Sequence, residues 1–134
     1  MKVRVMFSLL VLCISGCAGW EPFQPPPPEF EVWSKIGSDG LDVQKAMLEC
    51  GYPSPFENIS WNKDRMVTEE ERAFMYMCMR KNGFVFDKGR SDLCRQSPEL
   101  KACKLGVTIP DRDINKRISG SFCQYRPGWV VCKP

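Results

Sequence analysis

The sequence predicts a small α+β domain stapled by disulfides: a helical hairpin followed by a cysteine-rich C-terminal part with a β-hairpin. Three observations predict it. Two segments, 41–50 and 69–82, repeat apolar residues at helical spacing, and each places a cysteine on its apolar face. Beyond residue 33 the chain holds Cys50, Cys78, Cys94, Cys103, Cys123 and Cys132, an even number fit for three disulfides. Two short apolar runs near the C-terminus flank Arg126-Pro127-Gly128-Trp129, a turn signature with Pro and Gly at its centre.

The N-terminus reads as an export signal. Lys2 and Arg4 precede an apolar run from Val5 to Leu12, interrupted only by Ser8. With roughly ten apolar residues the run falls short of the ~20 that span a bilayer. It ends in Leu12-Cys13-Ile14-Ser15-Gly16-Cys17, an aliphatic residue and two small ones before a cysteine. This resembles the lipobox of bacterial lipoprotein precursors, over residues 1–17 only. The resemblance implies cleavage between Gly16 and Cys17, a diacylglyceryl thioether on Cys17, and acylation of the new amine. One acyl chain binds membranes marginally, and two or three anchor stably. Ala18 stands where an aspartate tends to hold such proteins in the inner membrane, so the resemblance favours the outer one. The alternative is an ordinary signal peptide cut elsewhere, with Cys17 incidental.

Residues 17–32 read as a tether. The run Pro25-Pro26-Pro27-Pro28 favours an extended polyproline helix, and at ~3.1 Å per residue the tether reaches on the order of 40 Å. Trp20 and Phe23 suit a membrane interface. Residues 33–134 then form one domain, long enough for a modest core.

Charge and composition exclude several classes. Residues 17–79 hold 5 basic and 11 acidic side chains, and residues 80–134 hold 12 and 5. The near-balanced total does not point to nucleic acid. Either the halves neutralise each other across the fold, or a basic surface faces something anionic, such as lipopolysaccharide or an acidic protein. The chain has no histidine, which removes Ser-His-Asp and Cys-His catalysis and the commonest zinc ligand. No Gly-rich phosphate loop occurs. The cysteines lack any C-x-x-C pair, so disulfides are expected rather than zinc, and no cofactor is expected.

The elements follow in order. Ser38 or Asp39 caps a first helix at 41–50, in which Val43, Ala46, Met47 and Cys50 share one face. Gly51 suits the left-handed position after it, and Pro53 prevents continuation. Residues 52–67 read as a long loop, packed through Tyr52, Phe56 and Trp61 or serving as a contact surface. Asn58-Ile59-Ser60 matches a glycosylation acceptor in pattern only. Thr68-Glu69-Glu70-Glu71 is a capping box that starts a second helix at 69–82, with Phe74, Met77 and Cys78 as its buried stripe and Gly83 as its end.

Cys50 and Cys78 each lie on an apolar face, so a Cys50–Cys78 bond is expected between the helices. Met75, Met77 and Met79 alternate, but on a helix Met77 points away from the other two, which favours core filling over Cu(I) binding. Phe84-Val85-Phe86 reads as a strand. Ser97-Pro98-Glu99 opens a short helix that brings Cys103 back towards Cys94. Val107-Thr108-Ile109 reads as a strand, and Ile114 with Ile118 permits one or two helical turns within 111–119. In the terminal hairpin, runs 122–124 and 129–131 would place Cys123 and Cys132 in a non-hydrogen-bonded pair within disulfide range. Long-range pairings of Cys94 and Cys103 with Cys123 and Cys132 stay open, because an L-Pro-Gly turn fits hairpin twist poorly.

Glu49-Cys50-Gly51-Tyr52 and Cys78-Met79-Arg80-Lys81-Asn82-Gly83-Phe84 resemble small Gram-negative lipoproteins with a helix ending in Cys-Gly and a second carrying Cys-Met before Gly-aromatic. The resemblance covers about residues 33–86 and implies no activity. Two functional classes follow. One is a non-catalytic binding or structural module of the envelope, anchored by lipid and meeting an envelope protein. The other is an inhibitor or phage-exclusion lipoprotein that blocks an envelope enzyme or receptor. In either case Lys101, Lys104, Arg117 and Arg126 are the expected docking cations.

Overall fold

Two capping boxes start the helical hairpin. Asp39 accepts from the Asp42 amide at 2.9 Å and Asp42 from the Asp39 amide at 3.2 Å, which opens α1, Gly40–Glu49. Thr68 and Glu71 form the same reciprocal pair at the start of α2, Glu69–Lys81. Both helices end in Schellman turns. The Tyr52 N–H reaches the Met47 carbonyl at 3.0 Å across Gly51, and the Phe84 N–H reaches that of Met79 at 3.1 Å across Gly83. Gly51 and Gly83 hold φ at +99° and +83°, a region that L side chains avoid. The computed structural model describes residues 27–57, 67–86 and 92–134.

A two-stranded antiparallel ladder closes the hairpin. β1, Trp33–Ser34, precedes α1, and β2, Val85–Phe86, follows α2, with Trp33 opposite Phe86 and Ser34 opposite Val85. The Trp33 and Phe86 rings meet edge to face at 4.9 Å. Lys35 reinforces the closure by donating to the Asn82 carbonyl at 2.9 Å, where the α2 dipole is negative. Glu29–Val32, placed in the tether by sequence, forms a 3-10 turn. Its Val32 is buried and its Phe30 N–H donates to the Pro55 carbonyl at 2.9 Å.

The core has three parts. The largest fills the hairpin, around Trp33, Met47, Tyr76, Cys78, Met79 and Phe84. Cys50–Cys78 runs through it with a Cα separation of 5.7 Å, as the apolar faces predict. The buried face of α2 is Ala73, Met75, Tyr76, Cys78 and Met79, while Phe74 and Met77 are half-buried. All three alternating methionines therefore pack as filler. Met77 bridges the first part to a second built on Ala73, Leu100 and Ala102. The third joins Leu48 of α1 to Phe122, Cys123, Val131 and Cys132.

The C-terminal part departs from expectation in form. Its β-hairpin is absent among the described residues: Ser121–Tyr125 is helical (α5) and Val130–Cys132 is a 3-10 turn. Apolar runs of three residues fit one helical turn as well as a strand, and here Phe122 and Val131 seat against Leu48. Upstream, α3 is Leu93–Gln96, capped by Asp92, and lies before Ser97-Pro98-Glu99 rather than after it. Lys101–Cys103 is a 3-10 turn. Residues 107–109 pair with no strand, and α4 spans Ile114–Ser119, capped by Asp113.

Candidate functional site

The six cysteines form three disulfides: Cys50–Cys78, Cys94–Cys103 and Cys123–Cys132. The last two close sequence separations of nine and make the long-range pairings untenable. Cys94 Sγ also lies 3.5 Å from Met77 Sδ, a sulfur–sulfur packing contact, since a half-cystine has no S–H to donate. Among the described residues no three His, Cys, Asp or Glu side chains converge as metal ligands. Cys17, the lipid site expected from the lipobox, and the Trp20, Phe23, Asn58-Ile59-Ser60 and Trp61 readings lie outside the described residues.

The four expected docking cations do not act together. Arg117 is buried, at 3% exposure, and cannot serve as docking surface. Its Nε donates to Glu49 Oε1 at 2.9 Å, and its Nη1 to the carbonyls of Val131 and Lys133 at 2.6 Å each. Arg112 donates to the other Glu49 oxygen at 2.7 Å. Glu49, itself buried, thus holds two guanidinium groups and ties α1 to the chain's last residues. Sequence reasoning missed it, although a signal was present. A glutamate in the last turn of a helix opposes the dipole, and α1 has no basic residue there to offset it. These contacts also join the acidic and basic halves, as does the Lys101 amide donating to the Glu70 carboxylate at 3.1 Å.

Lys101 and Lys104 are exposed, beside the part of the core built on Ala73. Arg126 is exposed elsewhere, on the part built on Phe122. Its guanidinium carbon lies 4.9 Å from the Phe122 ring centroid and 5.7 Å from that of Trp129. Phe122 and Trp129 meet edge to face at 5.7 Å, and Phe56 packs on both. Residues Gln124–Val130 are all exposed, yet the chain on either side, Phe122-Cys123 and Val131-Cys132, is buried. The result is a short loop closed by a disulfide, its feet set in the core and its crest carrying Tyr125, Arg126, Trp129 and Val130 outward. Tyr125 is 80% exposed and Trp129 48%.

A groove beside the end of α1 offers a second possibility. One part, about 410 Å³, is lined by Pro53, Val67, Phe74 and Met75, and the adjoining part of about 300 Å³ shares Gly51, Pro53 and Lys116 with it. Glu71 and Lys116 are the charged groups lining the first part. The Glu71 carboxyl is held below its usual value by the Thr68 amide and hydroxyl, so it is occupied as a cap. Tyr52, in the wall of the second part, has its phenol pushed well up by burial, with Glu29 adding to the effect. Among the described residues the groove brings together an apolar wall, Glu71, Lys116 and Arg117, without a paired nucleophile and base. Among the described residues no helix is long and apolar enough to cross a membrane. The chain matches no family model, no curated protein and no solved structure.

Proposed function

We propose that this chain is a bacterial lipoprotein, anchored by lipid on Cys17, most consistently in the outer membrane, that works by contact and without catalysis. The observation that carries this reading is the exposed loop Gln124–Val130. Exposed Tyr, Trp and Arg concentrate where proteins meet partners, and Val130 beside them adds apolar area that costs solubility. Two groups of reactive side chains among the described residues are taken up by the fold. The six cysteines of the domain are disulfides, and the buried Arg117 and Glu49 hold α1 to the C-terminus. The lipobox and the proline-rich segment supply anchor and reach.

Metabolic labelling with a palmitate analogue tests the anchor. The parent chain takes label and sediments with outer membranes, whereas Cys17→Ser takes none and accumulates as uncleaved precursor. A Cys17→Ser chain that still matures and stays with outer membranes refutes the anchor.

A further inference from the structure

Resting on the contact reading above, we propose that the Cys123–Cys132 loop is a membrane-contact site that takes the phosphate-bearing headgroups of an anionic lipid surface. Three independent features converge on it. First, Tyr125, Trp129 and Val130, three of the large hydrophobic side chains exposed on the described surface, fall within one seven-residue stretch, whereas Ile36 and Leu105 stand far from it in sequence. Tyrosine and tryptophan settle at the headgroup level of bilayers, apolar body down and polar edge in water.

Second, the charge is of one sign. From Ile114 to Pro134 the chain has Lys116, Arg117, Arg126 and Lys133 and no Asp or Glu side chain. Glu49 answers Arg117, which leaves Lys116, Arg126 and Lys133 as exposed cations. A loop whose own charged side chain is cationic, in a stretch without acids, suits a fluid layer of phosphates. Third, the loop is preorganised. The disulfide joins its ends, and Arg126 stacks over Phe122 and Trp129, so the guanidinium sits at the same edge as the indole. Little ordering remains to be done on binding. A guanidinium also bonds phosphate in two-pronged fashion.

The test is co-sedimentation of the chain from Cys17 onward, as Cys17→Ser, with vesicles. This chain keeps every described residue and carries no lipid. Vesicles of phosphatidylcholine mixed with phosphatidylglycerol should bind it, vesicles of phosphatidylcholine alone should bind it much less, and added salt should weaken binding. Arg126→Ala should lower the partition coefficient about fivefold. Tyr125→Ser, at a side chain with little packing to lose, should lower it as well, and brominated lipid should quench fluorescence in the parent but less in Trp129→Phe. Equal binding to both vesicle types, or loss of nothing in the two loop variants, overturns the proposal. Binding to immobilised polyglutamate that is tighter than binding to vesicles at matched charge, and unaffected by Tyr125→Ser, overturns it in favour of an acidic protein surface. Failure here leaves the Cys17 labelling result untouched, and failure of that labelling leaves vesicle binding untouched.

Discussion

Arg117 and Glu49, 68 residues apart, form a buried ion pair at 2.9 Å, and Arg117 also holds the carbonyls of Val131 and Lys133. The guanidinium thereby fixes the C-terminal foot of the exposed loop to α1. Removing Arg117 leaves Glu49 with Arg112 alone and strips the Val131 and Lys133 carbonyls of their donor, at a cost of about 1–3 kcal/mol. Arg117→Ala should therefore lower the unfolding free energy in urea by that amount. Arg126→Ala, which loses only exposed stacking on Phe122 and Trp129, should change it by no more than about 1 kcal/mol. Equal effects would mean that Arg117 is not the anchor.

The disulfides should differ in weight. Cys50–Cys78 spans a separation of 28 through the buried hairpin, and the other two span nine each. On the chain-entropy view its loss costs roughly 3–4 kcal/mol, somewhat more than either short loop. The buried gap left at Cys78 adds to that. Thermal unfolding of the Cys50→Ser/Cys78→Ser variant should thus begin well below that of Cys94→Ser/Cys103→Ser. Intact mass of the unreduced domain should sit six hydrogens below the reduced mass.

The α2 cap predicts an acid-side effect. Glu71 is held below its ordinary value by the Thr68 amide, and by the hydroxyl after that. A carboxyl lowered in the folded state contributes stability above its unfolded value and loses it as pH falls through the folded value. Carboxyl NMR should find Glu71 titrating below ordinary glutamate, and Thr68→Ala, which removes the hydroxyl but keeps the amide, should raise it only part of the way. The same substitution should cost about 1 kcal/mol at neutral pH. An unshifted Glu71 in the parent would contradict the cap.

Tyr52 predicts the opposite edge of the pH range. Burial, then Glu29, raises its phenol in the folded state. The unfolded phenol ionises near about 10, so stability is complete below that value and declines as pH rises above it. In a tyrosinate absorbance titration Tyr52 should ionise only as the protein unfolds. Tyr52→Phe should remove that late component.

Legibility in the sequence followed locality. Both helices, their caps and glycine ends, and the Cys50–Cys78 bond were readable, because capping chemistry and apolar spacing lie within a few residues of each other. The Cys123–Cys132 pair was expected for the wrong local shape. A separation of nine closes a hairpin or a turn between two helical segments, and packing of Phe122 and Val131 on Leu48 selects the second. The spacing of Ile114 and Ile118 permits the helical turns that α4 makes, yet both are exposed while Arg117 between them is buried. No local pattern announces that inversion, because its cause is Glu49 on α1. The loop's aromatic crest was hidden by the same misreading, since in a hairpin Trp129 and Val131 would have been strand residues.

The central claim is contact through the Cys123–Cys132 loop, and photo-cross-linking in intact cells tests it most directly. A photoreactive amino acid replaces Tyr125, and in separate strains Ile36 or Leu105, both fully exposed hydrophobic positions outside the loop. Adducts should be abundant from position 125, reduced by Arg126→Glu and by high salt, and few from 36 or 105. Equal yields at all three positions, together with turnover of a cell-wall substrate by the purified protein, would contradict it.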